Sequence, residues 1–364
     1  MGKRINIICN YSSIYGGNFI PSILHLCKKL DCELILFSFP RESENRNWVN
    51  SIKSKGYSVC FYDRKSFRKD ILGICKANKI DVIYTHFISG LRIKMVFPFN
   101  HKIKLFIHVH SDFSGNNKLS FKQRARKLIE NKFIRTDATY IFVSNALYNK
   151  ETMKRRFFVQ NGLCLERVEN EKLDRETFVK KYDVDSSKTI FLLFGWSPYI
   201  KGVDLAVKAF STLSTELQNM AKLIIVHGKD EGKKVCLDFL TKQIGNNSFL
   251  NNSNIVFVPP TEDVFSLYKL SDVYVMSSRS EGFSYSLIEA LYFNLNCIVN
   301  DIEGCAWSKQ YNNCSFFKTN DIDNLSQLFK KYIGTKSNHN INSSIQNQYN
   351  IDIWSNDIMD ILPK

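Results

Sequence analysis

No apolar run in the sequence is long enough to cross a membrane. The longest, such as Ile190 to Phe194, are strand-sized, against the roughly 20 residues that a spanning helix needs. The 10 cysteines are scattered singly, with no Cys-x-x-Cys pair among them, which argues against a zinc site or a disulfide framework and for a reducing compartment. Cys9, Cys75 and Cys297 lie in or beside apolar segments, where a free thiol behaves as a small hydrophobe. No Asp-x-Asp motif closes a strand, so the sequence requires no metal, and no Gly-x-Gly-x-x-Gly run is present. Repeats with a period of 20–50 residues are also missing. Residues 1–9 carry a basic start but only a short apolar run, and read as a first buried strand rather than a signal peptide. Asn6 stands where a myristoylation signal wants Ser or Thr. Positive charge is scarce in the second half. Residues 166–364 hold 21 Lys/Arg against 24 Asp/Glu (−3), whereas residues 1–165 hold 29 against 11 (+18), which together give the net +15. A first half this basic faces something acidic: a lipid surface, nucleic acid or a polyanionic substrate.

What is present describes a globular α/β chain. With 364 residues, 44% of them apolar and 13% aromatic, the chain exceeds one ordinary core and suggests two domains of about 150 to 180 residues. Short strands are expected at 4–9, 33–39, 58–62, 81–86, 104–110 and 138–143, with helices between them. The pattern restarts with strands at 189–194, 222–227, 254–258, 272–278 and 297–300. Strands alternating with helices indicate two doubly wound units with mostly parallel sheets. The expected division is 1–165, a charged connection at 166–185, a second domain at 186–340, and a tail at 341–364 whose final helix could pack back on either domain, the first being favoured.

One stretch concentrates chemistry: Arg279-Ser-Glu-Gly-Phe-Ser-Tyr-Ser-Leu-Ile-Glu289. A β-branched and aromatic strand precedes it, and an apolar helix follows, with Ser284 or Ser286 available as its cap. A strand, a small loop and a helix start aim backbone N–H groups and a positive dipole end at an anion. Glu281 then stands at the mouth and Glu289 one or two turns inside. Carboxylates suit hydroxyl-bearing ligands because each accepts two donors as charge-assisted bonds.

Ser280-Glu-Gly-Phe-x-x-Ser-Leu-Ile-Glu-Ala resembles the Glu-x7-Glu signature of the retaining glycosyltransferases of family 4. Further matches are Leu193-Phe-Gly195 leading to Lys201-Gly202, the segment 258–264, Ser271-Asp272-Val273, Gly16-Gly17, Val143-Ser144 and Gln160-Asn161-Gly162. The resemblance implies the GT-B fold, two Rossmann-like doubly wound domains facing a central cleft, with a nucleotide sugar bound mostly by the second. It assigns the ribose hydroxyls to Glu289 and the sugar hydroxyls to Glu281, with Gly282, Phe283, Ser284 and Leu287 near sugar and phosphate. Lys201 becomes the cation for the diphosphate. A fixed ammonium there stabilises the charge that develops as the glycosidic bond breaks. Gly195 and Gly16-Gly17 let backbone close on the donor. His110, at the carboxyl end of its strand, falls beside the transferred sugar. His86 is a weaker candidate on the acceptor side, and His108 is expected to face the other way and pack.

The sequence departs from the family at one place. An arginine usually follows the glycine, and here Trp196 stands in its position, which leaves Arg279 as the expected replacement cation. The same departure opens an alternative, a non-catalytic GT-B protein that binds a sugar nucleotide or pairs with an active transferase. Residues 118–135 read as an amphipathic helix with Lys122, Arg124, Arg126 and Lys127 on its basic side, suited to anionic lipid. Lys154–Phe158 and Arg64–Lys69 could join the same face. The whole implies a cytoplasmic, peripherally membrane-associated hexosyltransferase with a UDP-sugar donor, a lipid-linked or surface-glycan acceptor, no cofactor or metal, and no nucleic-acid partner.

Overall fold

The computed structural model describes all residues except 1, 99, 111–133, 135, 166–178, 181–184, 186, 229–230, 246–248, 250–251 and 364. The chain divides into two compact units, Met1–Cys164 together with Asn350–Lys364, and Leu165–Tyr349.

The first unit holds a seven-stranded sheet in the order β3-β2-β1-β4-β5-β6-β7. Its strands are β1 (Arg4–Cys9), β2 (Leu34–Pro40), β3 (Ser58–Tyr62), β4 (Val82–His86), β5 (Lys104–Val109), β6 (Thr139–Phe142) and β7 (Arg156–Phe158). Every neighbouring pair is parallel. The central strands are buried runs without polar alternation, as a sheet covered on both faces requires. The helix Phe19–Lys29 buries Phe19, Ile20, Ile23, Leu24 and Leu26 along one stripe. The final helix, Ile351–Ile361, adds Trp354 and Ile358 to the same core, followed by Leu362. His25 Nε2 lies 2.9 Å from Asp352, and Lys29 pairs with the same carboxylate. Gly162 makes room for this helix, because a Cβ there would sit 2.6 Å from Trp354 Cβ.

The second unit holds a six-stranded sheet in the order β10-β9-β8-β11-β12-β13. Its strands are β8 (Thr189–Phe194), β9 (Ala221–Val226), β10 (Ile255–Val258), β11 (Val273–Met276), β12 (Asn296–Asn300) and β13 (Cys314–Phe317). All neighbours are again parallel. The sequence order reverses beside β8, where crossovers leave to opposite faces and open a crevice at the carboxyl ends of the strands.

The structure corrects several expectations. The tail does not change company at residue 341: the helix Ser343–Gln348 belongs to the second unit, and the first unit takes over only at Asn350. Within the Lys154–Phe158 stretch, where no strand was expected, Arg156–Phe158 forms the edge strand β7. β13 was not expected; it is short and flanked by polar turns, and becomes a strand through pairing with β12. The helix expected at 118–135, with Lys122, Arg124, Arg126 and Lys127, lies outside the described residues apart from Ile134, as does most of the connection at 166–185. Among the described residues, no helix is long and apolar enough to cross a membrane.

Candidate active site

In the second unit, β8 ends at Phe194, and Gly195 continues its ladder by donating its N–H to Val226 O at 2.8 Å. Only glycine fits at 195, because a Cβ would stand 2.8 Å from Val203 Cγ2. The chain then runs through Trp196–Ile200 to Lys201 and Gly202, which caps the helix Val203–Ser211 in the left-handed region at φ 61°. A Cβ on Gly202 would lie 2.0 Å from the Ser277 carbonyl oxygen. This approach locks the helix start against the end of β11, and Ser277 Oγ reinforces it by donating to Lys201 O at 2.9 Å.

The locked turn brings together two residues 80 positions apart. Lys201 Nζ donates to Glu281 Oε1 at 2.6 Å, with both side chains largely shielded from solvent. Beyond Glu281, Ser284 caps the helix Tyr285–Tyr292 by accepting the Leu287 N–H at 3.4 Å. The cap is therefore Ser284, whereas Ser286 Oγ accepts a hydrogen bond from Tyr274 at 2.7 Å. Leu287 is fully buried and anchors the helix to the sheet. Phe283 packs on Trp307, with ring centroids 4.7 Å apart. Gly282, between Glu281 and Phe283, is buried. Glu289 lies in the second turn of the helix, buried, and its Oε2 accepts the Tyr268 hydroxyl at 2.7 Å. Burial, and then the Glu289 carboxylate beside it, push the Tyr268 hydroxyl well above its ordinary range, so Tyr268 stays a neutral donor.

Arg279 does not stand in for the missing cation. Its guanidinium makes two parallel bonds to Asp204, Nη1 to Oδ1 at 2.8 Å and Nη2 to Oδ2 at 2.7 Å, and Nη1 also donates to Tyr199 O at 2.8 Å. Those hydrogen bonds hold the group further above its already high value. Asp204 is 2% exposed and absorbs the charge that was expected to serve a ligand. Nothing local signals this, since Asp204 looks like an ordinary acidic residue in a helix first turn.

Three further residues escaped the sequence reading: Asn300, Tyr268 and Gly304. Asn300 Nδ2 donates to Ser278 O at 3.0 Å, and its Oδ1 accepts from Thr319 at 2.8 Å. A Cβ at Gly304 would come within 2.0 Å of Glu281 O, so a glycine 23 positions downstream is what allows the glutamate backbone its place.

In the first unit, Gly16 and Gly17 precede the helix Phe19–Lys29, with Gly17 at φ 55°. The Tyr11 hydroxyl donates to Gly16 O at 3.1 Å. His86 ends β4 opposite His108 on β5. His108 shares a face with His110, contrary to expectation: residues two apart on a strand point the same way, and the two rings stack 4.4 Å apart at 21°. His86 Nδ1 lies 2.9 Å from His110 Nε2, and Tyr84 Oη lies 2.6 Å from His108 Nδ1. Burial holds all three imidazoles neutral, His110 with its pKa lowered to about 3 and the other two well below the usual range. One nitrogen from each falls within 4.8 Å of the others, the size of a cation site. Within this cluster, His86 bonds to His110 and His108 to Tyr84.

Residues 174–348 match the family described as glycosyl transferases group 1. The matched segment falls within the second unit. A curated relative, the N,N'-diacetylbacillosaminyl-diphospho-undecaprenol alpha-1,3-N-acetylgalactosaminyltransferase of Campylobacter jejuni, is 29% identical over 203 residues, or 52% of this chain. That match spans 49% of the relative's own length. Solved structures align over nearly the whole chain. A glycosyltransferase from Rickettsia africae has 16% identity and a TM-score of 0.72, covering 99% of this chain and 98% of that one. Anabaena HepE in complex with UDP and glucose has 12% identity and a TM-score of 0.76, with 98% of each chain covered. Sucrose-phosphate synthase from Thermosynechococcus elongatus has 13% identity and a TM-score of 0.73, covering 99% and 98%. At these identities the likeness shows the fold alone, and the fold is GT-B.

Proposed function

We propose that this chain is a retaining glycosyltransferase of family 4, moving a hexosyl unit from a UDP-sugar to a lipid-linked or surface-glycan acceptor. The observation that carries the reading is the shielded Lys201–Glu281 pair, held at 2.6 Å at the strand ends of the second unit. A shielded ion pair of this kind is costly to keep for stability alone. It makes sense as a set of groups that exchange partners: on donor binding, the ammonium passes to the diphosphate and the carboxylate to sugar hydroxyls. Lys201 then stabilises the negative charge on the leaving diphosphate, and the positive dipole end of the helix Tyr285–Tyr292 adds to it. Glu289, oriented by Tyr268, is assigned to the ribose. In the first unit, the polar edge with Gly16, Gly17, His86 and His110 is assigned to substrate, and His110 offers a neutral imidazole rather than a charge. No divalent metal is part of this reading. The UDP in the HepE complex and the lipid-linked acceptor in the Campylobacter relative's name support the substrate classes. Peripheral attachment to anionic lipid belongs to the same proposal, resting on the +18 of residues 1–165.

A thermal-shift panel of UDP, UDP-glucose, UDP-N-acetylgalactosamine, GDP-mannose and ADP-glucose tests the donor, since a ligand at a hundredfold its dissociation constant adds about 2.7 kcal/mol. Glu281→Ala should keep UDP binding and lose transfer by more than about a hundredfold, the usual cost of a removed transition-state contact. Wild-type turnover in that variant would end the assignment. A non-catalytic sugar-nucleotide-binding protein is the second reading. It is favoured by Trp196 at the arginine position and by the capture of Arg279 by Asp204, and it predicts binding without transfer or hydrolysis.

A further inference from the structure

We propose that Trp196 is a pyranose-stacking residue, a positioning group that holds a sugar ring against the Lys201–Glu281 pair; the inference rests on the transferase reading above. Trp196 is 62% exposed, while its backbone is held firmly. Gly195 is fixed in the sheet ladder, and Gly228 passes so close that a Cβ there would meet Trp196 O at 3.2 Å. A large aromatic on rigid support with its face in water is what a ligand-binding side chain requires. The indole also belongs to the site, since Lys201 Nζ lies 5.0 Å from the ring centroid and 2.6 Å from Glu281 Oε1. Ring, ammonium and carboxylate therefore form one continuous surface at the carboxyl end of β8.

The chemistry of that surface selects its ligand. An aromatic face is electron-rich and repels phosphate oxygens, so Trp196 cannot supply the charge of the arginine it replaces. It attracts polarised C–H groups. A pyranose presents a C–H face and an equatorial edge of hydroxyls, and the surface offers a ring for the first and Lys201 and Glu281 for the second. Tyr199, 60% exposed and resting on the Arg279 guanidinium at 4.6 Å, extends the apolar rim. The stacked sugar is either the one carried by the donor or the terminal unit of the acceptor.

Trp196→Ala, Trp196→Phe and wild type separate these sources. Dissociation constants are measured for UDP, UDP-glucose and UDP-N-acetylgalactosamine, and saturation-transfer NMR is run on a panel of methyl glycosides with UDP saturating. If the ring meets the donor sugar, Trp196→Ala should weaken the best UDP-sugar about tenfold and leave UDP within twofold. If it meets the acceptor sugar, UDP-sugar affinity holds and the methyl-glycoside signal is lost. In both cases Trp196→Phe should keep most of the wild-type binding. The proposal is overturned if all ligands bind the alanine variant as they bind wild type, or if UDP and UDP-sugars weaken equally, which would place the ring on the nucleotide. Failure of wild type to bind any nucleotide sugar would remove the transferase reading together with this one.

Discussion

Arg279 separates a structural role from a ligand-binding one, and the two make opposite predictions. Its guanidinium satisfies both oxygens of a carboxylate that is almost sealed from solvent, together with a backbone carbonyl. Arg279→Gln would leave Asp204 buried without its cation. Breaking a buried pair in this way costs about 3–5 kcal/mol. The arginine side chain retains 17% exposure against 3% for the aspartate, so water can approach from one side, and the lower end, about 3 kcal/mol, is the better figure. For a unit of this size, 1 kcal/mol moves the melting temperature by about 2–4 °C, so the variant should melt about 6–12 °C lower. Arg279→Lys should recover little, because an ammonium cannot make two parallel bonds. Asp204→Asn in the Arg279→Gln background should restore much of the loss, since it removes the stranded charge, and calorimetry on the four-protein cycle measures that coupling directly. If Arg279→Gln instead melts within a degree or two of wild type and loses UDP affinity tenfold or more, the arginine serves the donor and the structural argument is wrong.

The remaining predictions address other parts of the molecule. Gly202→Ala places a Cβ 2.0 Å from a backbone oxygen at φ 61°; the left-handed conformation alone costs about 1–2 kcal/mol, and the clash adds to it, so the urea midpoint should fall well below that of Gly245→Ala, where the φ is also positive but the space is open. Equal midpoints would mean that the approach to Ser277 is not maintained. The three neutral imidazoles of the first unit have lowered folded pKa values. Below about pH 6.5 the unfolded chain binds protons that the folded chain refuses. Stability is therefore complete above that pH and falls as pH drops below it. Urea midpoints at pH 7.5 and 5.5 should differ clearly in wild type and less in His108→Gln; a flat profile would contradict the burial of the cluster. Tyr268→Phe removes the donor to Glu289 and should weaken UDP more than it weakens UMP-free diphosphate analogues; equal loss would disconnect Glu289 from the nucleoside end.

Much of the site could be read from local pattern because it is local. Strand, glycine turn and capped helix lie within 20 residues around Glu281, and each follows from β-branched content, a small loop and a serine followed by an apolar run. The same holds for Lys201, whose place at a helix start is set by Gly202. Arg279 could not be read this way: its partner is 75 positions away, and whether a cation is spent on a buried carboxylate or left for a ligand depends on that contact alone. The misplacement of His108 was of another kind, an error about strand periodicity that the rule itself corrects. β13 went unseen because its pairing partner, not its own composition, makes Cys314–Phe317 a strand.

By itself the sequence determined the alternation of strands and helices, the two parallel α/β units, and the stretch in which Glu281 and Glu289 sit, since hydrophobic period and turn chemistry act over a few residues. Tertiary structure decided how charge is allotted. It joined Lys201 to Glu281, tied Arg279 to Asp204, gathered three histidines from two adjacent strands into one neutral cluster, and returned the last helix to the first unit through Trp354 and Ile358. Electrostatic and packing energies depend on distance in space, and residues 24 to 327 positions apart acquire a distance only when the chain has folded.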